Sequence, residues 1–109
     1  MRDMRATLHT LEQTIRQRRT ADPSTSYVAK LTARGRGTMA QKVGEEAVET
    51  VIAAMTGDRM AAIGESADLL FHLIVLLTDL DISLDDVMDE LDRREGVSGI
   101  AEKAARPTD

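Results

Sequence analysis

The chain has 109 residues, a formal net charge of −5, one Tyr, one Phe, no Trp and no Cys. That length supports a single domain with a modest core, and the absence of cysteine excludes disulfides, thiolate metal sites and a cysteine nucleophile. Packing falls to Leu, Val, Ile, Met and Ala, which with few Gly and only two Pro favour helix over sheet, so an all-α domain over residues 1–109 is expected.

Met4, Leu8, Leu11 and Ile15 recur at helical spacing and predict a first amphipathic helix from about Met4 to Arg19. Arg2, Asp3 and Arg5 leave no room for an apolar signal core, so a soluble, cytoplasmic protein is expected. Thr20 to Ser26, with Pro23, reads as a loop. Ser26 caps a short second helix carrying Val28 and Leu31, which Gly35 ends. Gly35-Arg36-Gly37 then reads as a flexible basic turn. A third helix is expected from about Met39 to Thr56, closed by Thr56-Gly57-Asp58, and Asp58 caps a fourth from about Arg59 to Thr78. So short a connection makes these two an antiparallel hairpin. The longest apolar run, Leu69 to Leu77, is interrupted by His72 and is too short to span a bilayer. Ser83, with Asp86 three residues on, starts a fifth helix to about Arg94, with Leu84, Val87, Met88 and Leu91 as its apolar face and Gly96 at its end. The tail from Ala101 to Asp109 is polar, contains a Pro and is expected to be flexible.

On this frame the carboxylates stand out. Glu45, Glu46 and Glu49 fall with Lys42 in one stripe about 100° wide on the third helix, and most of the remaining circumference is apolar. Glu65, Asp68 and His72 share a narrow stripe on the fourth helix, opposite Ile63, Ala67, Leu70, Ile74 and Leu77. Two helices this apolar exceed what their short neighbours cover, so a homodimer that completes the helix bundle is expected. The five motif carboxylates carry −5 by themselves, so the acidity of the chain is local to them. An acidic triplet on a helix ordinarily marks a solvated face. Two narrow stripes on helices that both read as buried need a cation instead. All-oxygen ligation favours Mg²⁺, with Mn²⁺ as a substitute, and di-iron bundles use Glu-x-x-His where this chain has Glu65-x-x-Asp68.

The basic residues cluster too: Arg16, Arg18, Arg19, Lys30, Arg34, Arg36 and Lys42 stand against one acid, Asp22, between residues 16 and 42. This is either a solvated surface or an anion site. Without interleaved aromatics or a long basic stripe, a nucleic acid polymer is not expected as partner, and with no apolar run long enough to span a bilayer neither is a membrane. A magnesium site beside Arg and Lys points to a phosphate ester or anhydride. With no serine or cysteine nucleophile motif and no P-loop, attack by a metal-activated water is the economical chemistry. His72 is expected as a core histidine hydrogen-bonded to a carboxylate rather than as a ligand.

The pattern Glu-Glu-x-x-Glu followed by Glu-x-x-Asp resembles the all-α nucleotide pyrophosphohydrolases of the MazG-like superfamily. Within it, the string Lys42-Val43-Gly44-Glu45-Glu46-Ala47-Val48-Glu49-Thr50 resembles the phosphoribosyl-ATP pyrophosphohydrolase family of histidine biosynthesis. Ser26-Tyr27 with Lys30-Leu31 upstream, and Asp68-Leu69-Leu70-Phe71-His72, Glu90-Leu91, Arg93-Arg94, Ser98-Gly99-Ile100, Glu102-Lys103 and Arg106 downstream, extend the likeness from about Leu8 to Arg106. The resemblance implies cleavage of phosphoribosyl-ATP between its α and β phosphates, giving phosphoribosyl-AMP and pyrophosphate, by a Mg²⁺-dependent homodimer. Carried over residue by residue, it makes Glu46, Glu49, Glu65 and Asp68 metal ligands and Glu45 a further ligand or the group that orients water. Lys42 either pairs with those acids or reaches a phosphate. Lys30, Arg34 and Arg36 are further phosphate candidates, and Arg93, Arg94, Lys103 and Arg106 complete the site, from the same chain or its partner.

Two other readings fit the same residues. One is a house-cleaning pyrophosphohydrolase of the same superfamily acting on nucleoside triphosphates, against which the Ser-Gly and Glu-Lys tail motifs argue. The other is a non-enzymatic helical dimerisation module whose acidic stripes are plain surface, and it predicts no stabilisation by divalent cations.

Overall fold

The computed structural model describes residues 3–95 and Lys103. Among them lie five helices and no strand: α1 (Met4–Arg18), α2 (Tyr27–Arg34), α3 (Arg36–Thr56), α4 (Arg59–Asp79) and α5 (Leu84–Glu95). The helical periodicity is matched element by element. Gly96, Ser98-Gly99-Ile100, Glu102, Arg106 and the C-terminal tail lie outside the described residues.

Local chemistry sets the boundaries. The Asp3 carboxylate accepts from the Arg5 and Ala6 amides at the start of α1, Ser26 Oγ accepts from Ala29 N at 3.2 Å, and Asp58 Oδ1 accepts from Ala61 N at 3.0 Å. Each supplies an acceptor to an amide that has no partner within its helix. Ser83 does the same for Asp86 N, at 3.2 Å. Gly57 closes α3 at φ 74°, a left-handed conformation that glycine adopts without a Cβ penalty. Asp58 N then donates back to Ala53 O at 3.2 Å, satisfying a carbonyl of the last turn.

One boundary differs from the expectation. Gly35-Arg36-Gly37 is not a turn: only Gly35, at φ 99°, breaks the chain, and Arg36 and Gly37 already belong to α3. A glycine costs least in the first turn, where the amides lack helical partners in any case. Arg36 is held there by Asp79 at the far end of α4, with Nε to Oδ2 at 2.7 Å and Nη2 to the Asp79 carbonyl at 3.2 Å.

The α3–α4 hairpin is the spine of the fold. The core gathers at one end of it, where Ile15 of α1, Val28 and Leu31 of α2, Met39 of α3, Ile74 and Val75 of α4, and Leu84 of α5 are buried together. A buried carboxylate joins this core from α1. Glu12 accepts from the Leu84 amide at 2.8 Å, across 72 residues of sequence, and so satisfies the first turn of α5. Arg16, 3.7 Å away, balances its charge. Replacing Glu12 with Ala strands a buried amide and a half-buried guanidinium. The expected loss is about 1–3 kcal/mol, read from urea unfolding, and an unchanged midpoint would show that Glu12 holds nothing.

The other end of the hairpin is uncovered among the described residues. Val48, Val51, Ile52 and Met55 form a single stripe on α3 and all are more than half exposed, Met55 at 82%. On α4, Met60, Ile63 and Leu70 are exposed too, and Ile63 and Leu70 border an open groove that runs to Met4. Within one chain the apolar hairpin is covered only at its core end, as expected of two helices more apolar than their short neighbours can cover.

Candidate metal and phosphate site

The antiparallel hairpin sets Glu46 and Glu49 of α3 opposite Glu65 of α4. One carboxylate oxygen from each lies within 4.8 Å of the other two. The spacing explains this: 46 and 49 are one turn apart on a face, and the tight Gly57 connection brings 65 level with them. Glu46 Oε2 and Glu65 Oε2 are fully buried with no hydrogen-bond partner. Buried carboxylate oxygens without donors are costly, so a pair of them facing a third carboxylate marks a place for a cation. The residues present fit a hard divalent ion.

The electrostatics agree. Glu65 holds the Glu49 carboxyl above the ordinary glutamate range, first through a hydrogen bond that only a protonated carboxyl can donate and then through its charge. Glu46 offsets part of this. In the raised window the folded chain binds more protons than the unfolded chain, so without a cation stability is full below the ordinary glutamate pKa and is lost as pH rises through Glu49's raised value. Melting temperatures of metal-free protein from about pH 4 to 7 are expected to fall with rising pH, and Glu49→Gln is expected to flatten that slope. An equal slope in the variant would remove Glu49 as its origin.

Other candidates take different places. Glu45 is exposed and outside the three-carboxylate group, 3.5 Å from Lys42 Nζ and 3.3 Å from Gln41 Nε2, close enough that its charge adds to the rise at Glu49. Asp68, one turn beyond Glu65, is exposed and outside the three-carboxylate group. Arg36 is not brought to the cluster: its pairing with Asp79 puts it ten residues before Glu46, roughly 15 Å along α3 at 1.5 Å per residue. Lys30 and Arg34 are exposed on α2. Arg93 and Arg94 pair with Glu90 on their own helix, at 2.6 and 3.8 Å, and Lys103 is exposed.

His72 is buried, as expected of a core histidine, but its partners are not carboxylates. Its Nδ1 lies 2.7 Å from the Asp68 carbonyl and its Nε2 lies 2.9 Å from the Tyr27 hydroxyl. A carbonyl only accepts, so Nδ1 carries the proton and Nε2 accepts from Tyr27. Phe71 packs beside them, its ring centroid 6.0 Å from that of Tyr27 and 5.2 Å from that of His72. The sequence reading missed this aromatic group; that Tyr27 and Phe71 are the chain's only aromatic hydrocarbon rings was the available signal.

The sequence profile described as "Phosphoribosyl-ATP pyrophosphohydrolase" matches residues 8–95, which includes every helix that builds the cluster. The chain belongs to the phosphoribosyl-ATP pyrophosphohydrolase family. It is 66% identical over 104 residues to the phosphoribosyl-ATP pyrophosphatase of Rhizorhabdus wittichii, covering 95% of this chain and 98% of that one. The phosphoribosyl-ATP pyrophosphatase of Erythrobacter litoralis is 62% identical over 100 residues, 92% of this chain and 96% of the relative. That of Gluconobacter oxydans is 59% identical over 100 residues, 92% of this chain and 75% of the relative. The family profile begins at the Leu8 where the sequence likeness begins and stops before the Ser-Gly and Glu-Lys motifs.

Proposed function

We propose that this chain hydrolyses phosphoribosyl-ATP to phosphoribosyl-AMP and pyrophosphate, the reaction of histidine biosynthesis that fits its family. The observation that carries this reading is the facing of Glu46, Glu49 and Glu65 across the hairpin, with two buried oxygens left without donors, in a chain of that family.

Glu46, Glu49 and Glu65 would hold a divalent cation, Mg²⁺ by the hardness of an all-oxygen set, with Mn²⁺ as a substitute. Asp68, one turn beyond Glu65 and outside the three-carboxylate group, would join the set as a fourth carboxylate on the substrate-bound ion. Such an ion supplies electrophilic pull on phosphate oxygens and acidifies water. The chain's own residues do the rest. Glu45, which pairs with Lys42 and Gln41 and lies outside the three-carboxylate group, is the carboxylate available to orient water and accept its proton. Lys30 and Arg34 of α2 supply positive charge for phosphates, and Arg93, Arg94 and Lys103 are the C-terminal candidates for the same task.

The working unit is a homodimer. The stripe Val48-Val51-Ile52-Met55 and the exposed face of α4 are what a second hairpin would cover to complete a bundle. By length and composition α4 is long enough to cross a membrane. Glu65 and Asp68 in its first half and the packing of Ile74, Val75 and Thr78 in its second support a soluble, cytoplasmic protein.

The test is pyrophosphate release from phosphoribosyl-ATP against a panel of nucleoside triphosphates, with and without Mg²⁺. Preference for phosphoribosyl-ATP and loss of release on chelation are expected. Faster release from a plain triphosphate would overturn the substrate, and release that survives chelation would overturn the cation's role.

A further inference from the structure

The outer face of α2 has an arrangement that the carboxylate chemistry does not use. Val28, Ala29 and Leu31 are buried, which turns Tyr27, Lys30 and Arg34 outward, and the spacing i, i+3, i+7 sets those three in one stripe. Tyr27 is 46% exposed, yet its ring is held on one side. Phe71 stacks on it at an interplanar angle of 24°, His72 meets it edge-on at 88°, and His72 Nε2 accepts from its hydroxyl at 2.9 Å. Close to half of the residue is therefore open to solvent while the ring is held in a fixed orientation. A large aromatic side chain held open in this way, with two cations beside it, matches the requirements of a nucleotide: a π-surface for the base and positive charge for phosphate.

Its place relative to the cluster fits. His72 stands seven residues beyond Glu65 on the same stripe of α4, roughly 10 Å at 1.5 Å per residue. That is a distance one ribose and its phosphate can span, from an anhydride at the carboxylates to a base at Tyr27. We infer that Tyr27 is the base-stacking platform of the site, with Lys30 and Arg34 facing the phosphate of the second ribose that distinguishes phosphoribosyl-ATP from ATP. The inference deepens the proposed function and rests on it for the identity of the full substrate. The Tyr27–His72–Asp68 chain of hydrogen bonds then ties the platform to the turn of α4 that carries Asp68.

The chain supplies its own reporter, because Tyr27 is its only tyrosine and there is no tryptophan. In metal-free buffer, AMP is expected to quench the tyrosine emission of the full chain saturably, while ribose 5-phosphate at the same concentrations leaves it unchanged. No quench by AMP, or an equal quench by the baseless phosphate, would overturn the platform. With phosphoribosyl-ATP, Tyr27→Leu is expected to raise KM roughly tenfold with kcat within about twofold, and Tyr27→Phe to recover most of that loss. A fall in kcat and melting temperature with KM unmoved would show a purely structural role. A wild-type chain that is quenched by AMP yet releases no pyrophosphate would sink the proposed substrate and leave the platform standing.

Discussion

Glu65→Gln is expected to lower pyrophosphate release at least about a hundredfold while making the metal-free protein more stable. The two signs come from one cause. In the cation-free fold, Glu65 faces Glu46 and Glu49 with one oxygen buried and without a donor, and it raises the Glu49 carboxyl by its proximity. Converting it to an amide removes a like charge and provides donors to the two carboxylates opposite. On the proposed reading the same change also removes a ligand from a site whose ion would stabilise charge on the transferring phosphate by several kcal/mol, and each 1.36 kcal/mol is tenfold in rate. A third reading follows from linkage. A cation at a hundred times its dissociation constant adds about 2.7 kcal/mol to folding stability, on the order of 10 °C in a domain of this size. Wild-type protein should show that rise in Mg²⁺ by circular dichroism melting, and Glu65→Gln should lose most of it. A variant with full activity and an unchanged response to Mg²⁺ would reduce the cluster to a solvated surface.

Ile52→Asp is expected to turn the proposed dimer into a monomer. Ile52 sits in the middle of the α3 stripe, with Val48, Val51 and Met55 around it, all more than half exposed in the single chain. Burying an aliphatic side chain of this kind is worth about 1.5–3 kcal/mol, and a carboxylate forced into the same place costs several more unless it is paired. Together these weaken association by roughly a thousandfold or more. Sedimentation velocity at micromolar concentration reads the result directly. A wild-type chain that sediments as a monomer, or a variant that still sediments as a dimer, would overturn the assignment of that face.

Much of the fold was legible because its determinants are local. Ser26, Asp58 and Ser83 cap the helices they precede, and Gly35 and Gly57 end the helices they follow, since each acts within four residues along the chain. The beginning of α3 was misread for the same reason. Gly-Arg-Gly is a turn by local preference, and the contact that favours helix there is with Asp79, 43 residues away. Which end of the hairpin stays uncovered was not legible, because periodicity shows which face of a helix is apolar and says nothing about where along it the single chain has something to cover it.

The candidate site divides along the same line. The all-α class, the hairpin and the two acidic stripes follow from the order of residues alone, since helical spacing sets which side chains share a face. Which of the five carboxylates meet is settled by how the helices pack. Glu46, Glu49 and Glu65 converge, while Glu45 turns to Lys42 and Asp68 stays outside. The packing also decides that His72 holds Tyr27 and a carbonyl, and that Glu12 crosses to α5. Those outcomes depend on how helices far apart in sequence are rotated and set level against one another. That relation is fixed by packing across the whole core, and no single helix carries it in its own spacing.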